Sequence, residues 1–167
     1  MRFLNRKWAN ASLQDFDMQL HLSVYLLHLQ SLADDFPPRL RAFAAVSAGR
    51  GLRDARLIKV RLNRKKATLR VVFQLPADED DWLKVRILFS KIDVDTLHEP
   101  AWKRVCANAQ SRCLADEVDL APGGQFEARF LFDPRGETAV QFRRFQMEIE
   151  KLPQGREEPH GGWRQDG

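Results

Sequence analysis

The order of hydrophobic periods along this 167-residue chain predicts an α+β fold: two N-terminal helices packed on a twisted antiparallel sheet of about six or seven strands. Three observations carry that expectation. Apolar residues in the first fifty positions recur at steps of three and four. From Gly51 onward the period is two, with Lys and Arg in many of the alternate places. Polar turn sequences, "NRKK", "APGGQ" and "DPRG", separate the alternating runs. Residues 1–152 then form a single domain, helical over 1–50 and sheet over 51–152. Residues 153–167, rich in Pro, Gly and charge, form a disordered tail.

In the helical part, Ser12 to Asp15 resembles a capping box with Asp in place of Glu or Gln. Leu13, Phe16, Leu20, Val24 and Leu27 make one stripe, widened by Leu22, Tyr25, Leu26 and Leu29, so a well-buried helix is expected. Trp8 anchors the N-terminus on the core. Pro37 and Pro38 end this helix and suit the first turn of the next. That second, short helix points Leu40, Phe43 and Ala44 inward, with Gly49 as its C-terminal cap.

In the sheet part, Ile58, Val60 and Leu62 alternate with Lys59 and Arg61, and Leu69, Val71, Phe73 and Leu75 alternate with Arg70 and Gln74. This is a β-hairpin with an apolar and a mostly charged face. Leu83, Val85, Ile87 and Phe89 repeat the pattern, with Lys84 and Arg86 outward. Further on, a strand near Ile92–Val94, a loop around Pro100 and a strand from Cys113 to Leu120 are expected. Phe126 to Phe132 alternate, Val140 and Phe142 continue, and the alternation then slips to Phe145, Met147 and Ile149. A β-bulge near Arg143 and Arg144 accounts for the slip.

Composition narrows the chemistry. No run of about 18 apolar residues exists, so no membrane helix is expected. Two cysteines, Cys106 and Cys113, and no export signal suggest two reduced thiols in a cytoplasmic protein. Their spacing completes no zinc site, and no cofactor is expected. His21 and His28 lie two helical turns apart, about 10.5 Å along the axis, too far to share one metal ion; hydrogen-bonding histidines are the plainer reading. "DVD" places Asp93 and Asp95 on one strand face with His98 nearby, the only arrangement that suggests hydrolysis; alternating acids on an exposed strand are the commoner meaning. No nucleophile elbow or phosphate loop occurs.

The basic hairpin remains. Between Arg50 and Arg70 there are nine Lys or Arg and one acid. Such a face neutralises phosphates in nucleic-acid readers, but those readers interleave exposed aromatics, and here Phe73 and Phe89 fall on the apolar parity. A solvated sheet face is the plainer reading of the strand pattern itself.

The start "MRFLNRKWANASLQDFD", the stretch "YLLHLQSLADDFPPRLRAFA" and the stretch "GLRDARLIKVRLNRKKATLRVVF" resemble an uncharacterised bacterial family of small proteins. Its members open with a Phe…Trp segment and two helices and enter a sheet through a Leu-His-Asp motif. Similar sheet domains occur among suspected toxin-immunity proteins. Here the motif reads Leu52-Arg53-Asp54, with Arg53 in place of the histidine, so a chemical role of a His-Asp pair is lost. Asp54 is left to hydrogen-bond the turn into the strand. The resemblance implies a non-catalytic protein-binding module that blocks a toxin. On that reading Arg56, Lys59, Arg61, Arg70, Lys84 and Arg86 steer an acidic partner, and Trp82 and Trp102 anchor it. The alternative is a nucleic-acid-binding protein using the same face.

Overall fold

A computed structural model describes residues 16–47, 51–76, 81–134, 136–153 and 158–166. It shows an α+β architecture. Among the described residues three helices, α1 (Phe16–Ser31), α2 (Pro38–Ser47) and α3 (Glu99–Cys106), accompany eight strands. The strands are β1 (Arg56–Asn63), β2 (Thr68–Pro76), β3 (Trp82–Ser90), β4 (Arg112–Ala121), β5 (Gln125–Asp133), β6 (Gly136–Phe142), β7 (Arg144–Leu152) and β8 (Gly162–Asp166). The expectations for Trp8, the Ser12–Asp15 cap and Gly49 fall outside the described residues.

The strand order is β6-β5-β4-β1-β2-β3-β7, antiparallel throughout, and β8 joins β1 in parallel. The two ends of this order are neighbours in the chain, because only Arg143 separates β6 from β7. Its backbone N–H donates to the Ser90 carbonyl at 3.3 Å. The sheet therefore rolls up until one bent strand pairs with β5 in its first half and with β3 in its second. The slip in alternation expected as a bulge is this bend, where the chain changes partner.

Rolling brings inner faces together. Phe73 of β2 stacks on Phe132 of β5 at 6.3 Å, and Phe89 of β3 meets Phe142 of β6 at 4.8 Å. Leu57, Val60, Leu62, Leu69, Val71, Val85 and Ile87 complete the wall of this core. Such aromatic pairs add about 0.5–1.5 kcal/mol each beyond the area they bury.

Helix α3 corrects the expectation of a loop around Pro100. Pro100 sits in the first helical turn, where its missing N–H costs nothing, and Ala101, Trp102, Val105 and Cys106 form the buried face. Ile92–Val94 is likewise not a strand: Asp93 Oδ1 accepts from the backbone N–H groups of Asp95 and Thr96 and shapes an exposed turn.

Helix α1 corrects the expected inward stripe. Leu20, Val24 and Leu27 are exposed, at 52%, 45% and 66%, whereas Tyr25 and Leu29 are buried. The helix is apolar nearly all round, so periodicity alone does not choose a face. Polar groups choose it. Tyr25 Oη accepts from the Val118 backbone N–H at 2.7 Å, and His28 Nε2 lies 2.7 Å from Asp119 Oδ1. Both partners lie on β4, which pairs with β1 only at Arg112; past Cys113, whose backbone bonds Asp54 and Ala55, that edge pairs with no other strand among the described residues. Helix α2 points Leu40, Phe43 and Ala44 inward, and Pro38 begins it.

The C-terminal residues expected to be a disordered tail supply β8 instead. Strand β4 leaves β1 after a single bridge, Arg56 opposite Arg112, so the rest of that β1 edge is open to another strand. Residues 162–166 fill it, from Gly162 opposite Lys59 to Asp166 opposite Asn63. Trp163, within the tail expected to be disordered, packs against the core, and Lys103 Nζ lies 5.8 Å from its ring centre.

Candidate functional site: a basic groove on the outer sheet face

The outward side chains of β1, β2 and β3 are brought onto one face by a backbone irregularity. Strict alternation puts Arg56 on the opposite side of β1 from Lys59 and Arg61. The β1–β2 register shifts between Leu57 and Lys59, so Arg56 faces Gln74, Lys59 faces Val72 and Arg61 faces Arg70. Ile58 is the extra residue of this β-bulge, and all three cations emerge on the outer face. Ile58 is buried but does not belong to the core cluster.

On that face, residues 158–161 run across the sheet toward β8. Gly161 N–H donates to the Ile58 carbonyl at 2.8 Å, and His160 Nε2 donates to the Cys106 carbonyl at 2.9 Å. Gly161 has a local reason: a Cβ there lies 3.1 Å from Lys59 Cδ, so glycine lets the lysine stem pass beside this segment. Gly162 takes φ of +59°, the left-handed turn into β8.

Between this segment and β3 lies a groove of about 470 Å³. Ile58 and Val72 floor it, and Lys59, Arg61, Arg70, Lys84, Arg86 and Arg164 stand round it. Among the described residues, Glu158 is the one acid lining it. Lys84 Nζ pairs with Glu158 Oε1 at 2.5 Å, and Arg86 pairs with Glu150 on β7. Arg61, Arg70 and Arg164 make no ion pair and no side-chain hydrogen bond among the described residues, and the buried Nε of Arg61 has no acceptor. Partial desolvation, then the charges of Arg61 and Arg164, lower the pKa of Lys59; Lys84 adds to this and Asp166 opposes it.

The residues singled out from the sequence thus divide. Lys59, Arg61, Arg70, Lys84 and Arg86 line the groove. Arg56 lies at its end, where its guanidinium donates to Gln74 Oε1 and to the Glu158 carbonyl, both at 3.1 Å. It also lines a second cleft of about 300 Å³ with Trp82, Asp54 and Arg112, so Trp82 stands apart from the groove. Trp102 is not available as an anchor: it is fully buried against Phe130 and Phe132, and its indole N–H donates to the Ala139 carbonyl at 3.2 Å. The short, unrecognised helix α3 is what carries it inward.

Arg164 was not legible as a site residue, because the tail holding it carries no strand alternation long enough to read. The parallel pairing of β8 places it beside Arg61.

Other chemistry is weakly supported by the geometry. Burial pushes the Cys106 thiol up to about 12 and raises that of Cys113 as well, so neither is a nucleophile at neutral pH. No group of three or more His, Cys, Asp or Glu among the described residues is placed to hold a metal ion. No helix among them is long and apolar enough to cross a membrane. Asp54, in the Leu-Arg-Asp motif, has φ of 66°, and its N–H donates to the Cys113 carbonyl at 2.8 Å.

Comparison with protein families, with curated proteins and with solved structures finds no match to this chain.

Proposed function

We propose that this protein is a non-catalytic binding module whose basic groove receives an acidic surface of a partner protein. The observation that carries this reading is the row Arg164–Arg61–Arg70, three arginines directly aligned across β8, β1 and β2 with no acid between them. Like charges placed opposite each other on a sheet cost stability. A surface that keeps three of them is built for an anion from outside.

Two features favour carboxylates over a nucleic-acid strand. The groove is lined by no Phe, Trp or Tyr among the described residues, so it lacks the large aromatic rings on which single-strand readers stack successive bases. It also already takes one carboxylate, that of Glu158 on Lys84. Guanidinium groups in a fixed row give orientation as well as charge, and steer encounter with an acidic patch.

The resemblance to suspected immunity proteins supplies the kind of partner: a toxin, blocked when this face covers it. Such a toxin carries an acidic surface. A nuclease toxin, basic where it holds its substrate, fits this face poorly.

The reading is tested by affinity capture from the native host, comparing the wild-type chain with Arg61→Glu/Arg70→Glu after nuclease treatment. One protein, retained by the wild type and lost from the variant, is the expected result. Retention that depends on nucleic acid, or that survives the double reversal, contradicts it.

A further inference from the structure

The groove holds an anion of its own, and the way it does so describes the ligand. The Glu158 carboxylate sits on Lys84 Nζ at one end. Its backbone is held too: the Glu158 N–H donates to Gln74 Oε1 at 3.2 Å, and its carbonyl accepts from Arg56. A non-helical, non-strand segment with a carboxylate is therefore seated at one end of the groove by side chains that recognise main chain as well as charge. At the other end the arginine row has no such occupant among the described residues.

We infer that the groove takes an extended acidic peptide segment of the partner, and that Glu158 is the chain's own occupant of one of its carboxylate positions, displaced from Lys84 when that segment binds. This rests on the reading of the groove as a site for an acidic partner.

Dimensions agree. Neighbouring strands lie about 4.8 Å apart, so three arginines in one cross-strand row span about 10 Å. Two acids on the same side of an extended segment lie about 7 Å apart and reach that whole row. Lys84 stands opposite Gln74, four residues along β2 from Arg70 and so about 14 Å from the row along the strands. A segment of about six extended residues that crosses the groove diagonally brings a further acid to this cation, which Glu158 occupies. The Glu158 side chain can leave without unseating β8, because the five register pairs with β1 and the packing of Trp163 hold the strand independently.

The test is titration of a labelled hexaglutamate peptide at low ionic strength into wild type, Arg70→Gln, Glu158→Gln, Lys84→Met and the Glu158→Gln/Lys84→Met double variant. Arg70→Gln is expected to weaken binding about tenfold, the loss of one charge-assisted contact. Glu158→Gln is expected to tighten it about three- to tenfold by freeing Lys84. In the Lys84→Met background Glu158→Gln is expected to change nothing, which separates competition for Lys84 from a general change in charge.

If Arg70→Gln weakens binding but Glu158→Gln leaves it unchanged or weaker, the groove reading stands and the displacement of Glu158 is overturned. If hexaglutamate binds neither wild type nor Glu158→Gln, or binds Arg70→Gln as well as wild type, the groove reading itself falls. Circular dichroism of each variant confirms that the fold is retained.

Discussion

Arg61 and Arg70 stand directly opposite each other across β1 and β2, and Arg164 on β8 continues their row. Charges of one sign directly opposite each other in a sheet destabilise it. Replacing Arg70 by Gln should therefore leave the fold as stable or raise its midpoint slightly, while binding of an acidic ligand falls. Thermal unfolding with and without the ligand measures both. A clear loss of stability in the free variant contradicts the assignment of Arg70 to binding and makes it a structural residue.

Lys59 predicts a pH dependence. It sits in the same crowd as Arg61, Arg164 and Lys84, with Asp166 as the nearby acid, and its ammonium titrates below the ordinary 10.5. An anion in the groove favours the charged form and moves that titration back up. Between the two values binding takes up protons, and affinity falls as pH rises through the lowered value. The sign for stability is the opposite: the free folded chain binds this proton less tightly than the unfolded chain, so the term it contributes to stability rises with pH through the same window. Calorimetry in two buffers of different ionisation enthalpy reads the uptake. Lys59→Met should abolish it.

Tyr25 fastens α1 to the open edge of β4. Its hydroxyl accepts from the Val118 N–H at 2.7 Å and faces the Val118 carbonyl at 3.4 Å, while burial raises the pKa of the phenol well above its usual value. Tyr25→Phe leaves a buried backbone donor without a partner and should cost about 1–3 kcal/mol. Denaturant unfolding measures it. Ligand binding by the folded variant should be unchanged, because the groove lies on other strands.

Trp102 tests the boundary between core and site. Truncating it to Ala should destabilise the fold by about 3–5 kcal/mol, through the cavity left beside Phe130 and Phe132 and the loss of the bond to Ala139. The fraction that remains folded should bind as wild type does. Binding lost in proportion beyond unfolding contradicts its placement in the core.

Much of this architecture is legible in the residues. Leu69, Val71, Phe73 and Leu75 alternate with Arg70, Val72 and Gln74 because one face of their strand lies in the core, and period two records that face, though not the burial of Val72 and Gln74 on the other. Alternation on β1, β2 and β3 marks five of the six cations round the groove. What was not legible depends on contacts between distant segments. The apolar circumference of α1 conceals which side is buried, and the choice is made by Val118 and Asp119, more than 90 residues away. Helix α3 is eight residues long and opens on Glu99-Pro100, so its proline reads as a breaker when it is a starter. Strand β8 forms because β4 vacates one edge of β1, a vacancy that no local pattern announces. Arg164 and the resident Glu158 were missed for that reason. The bulge at Ile58 is equally silent, yet it sets Arg56 on the same side as Lys59 and Arg61.

The most direct measurement compares two polyanions of equal charge and length, an oligoglutamate and an oligodeoxythymidylate, by fluorescence anisotropy on the wild-type chain and on Arg61→Glu/Arg70→Glu. We expect the oligoglutamate to bind the wild type more tightly than the oligonucleotide at moderate salt, and to be lost on the double variant. Tighter binding of the oligonucleotide, with affinity falling steeply as salt rises, makes the face a nucleic-acid site. Equal binding of the oligoglutamate by wild type and double variant removes the arginine row from function altogether.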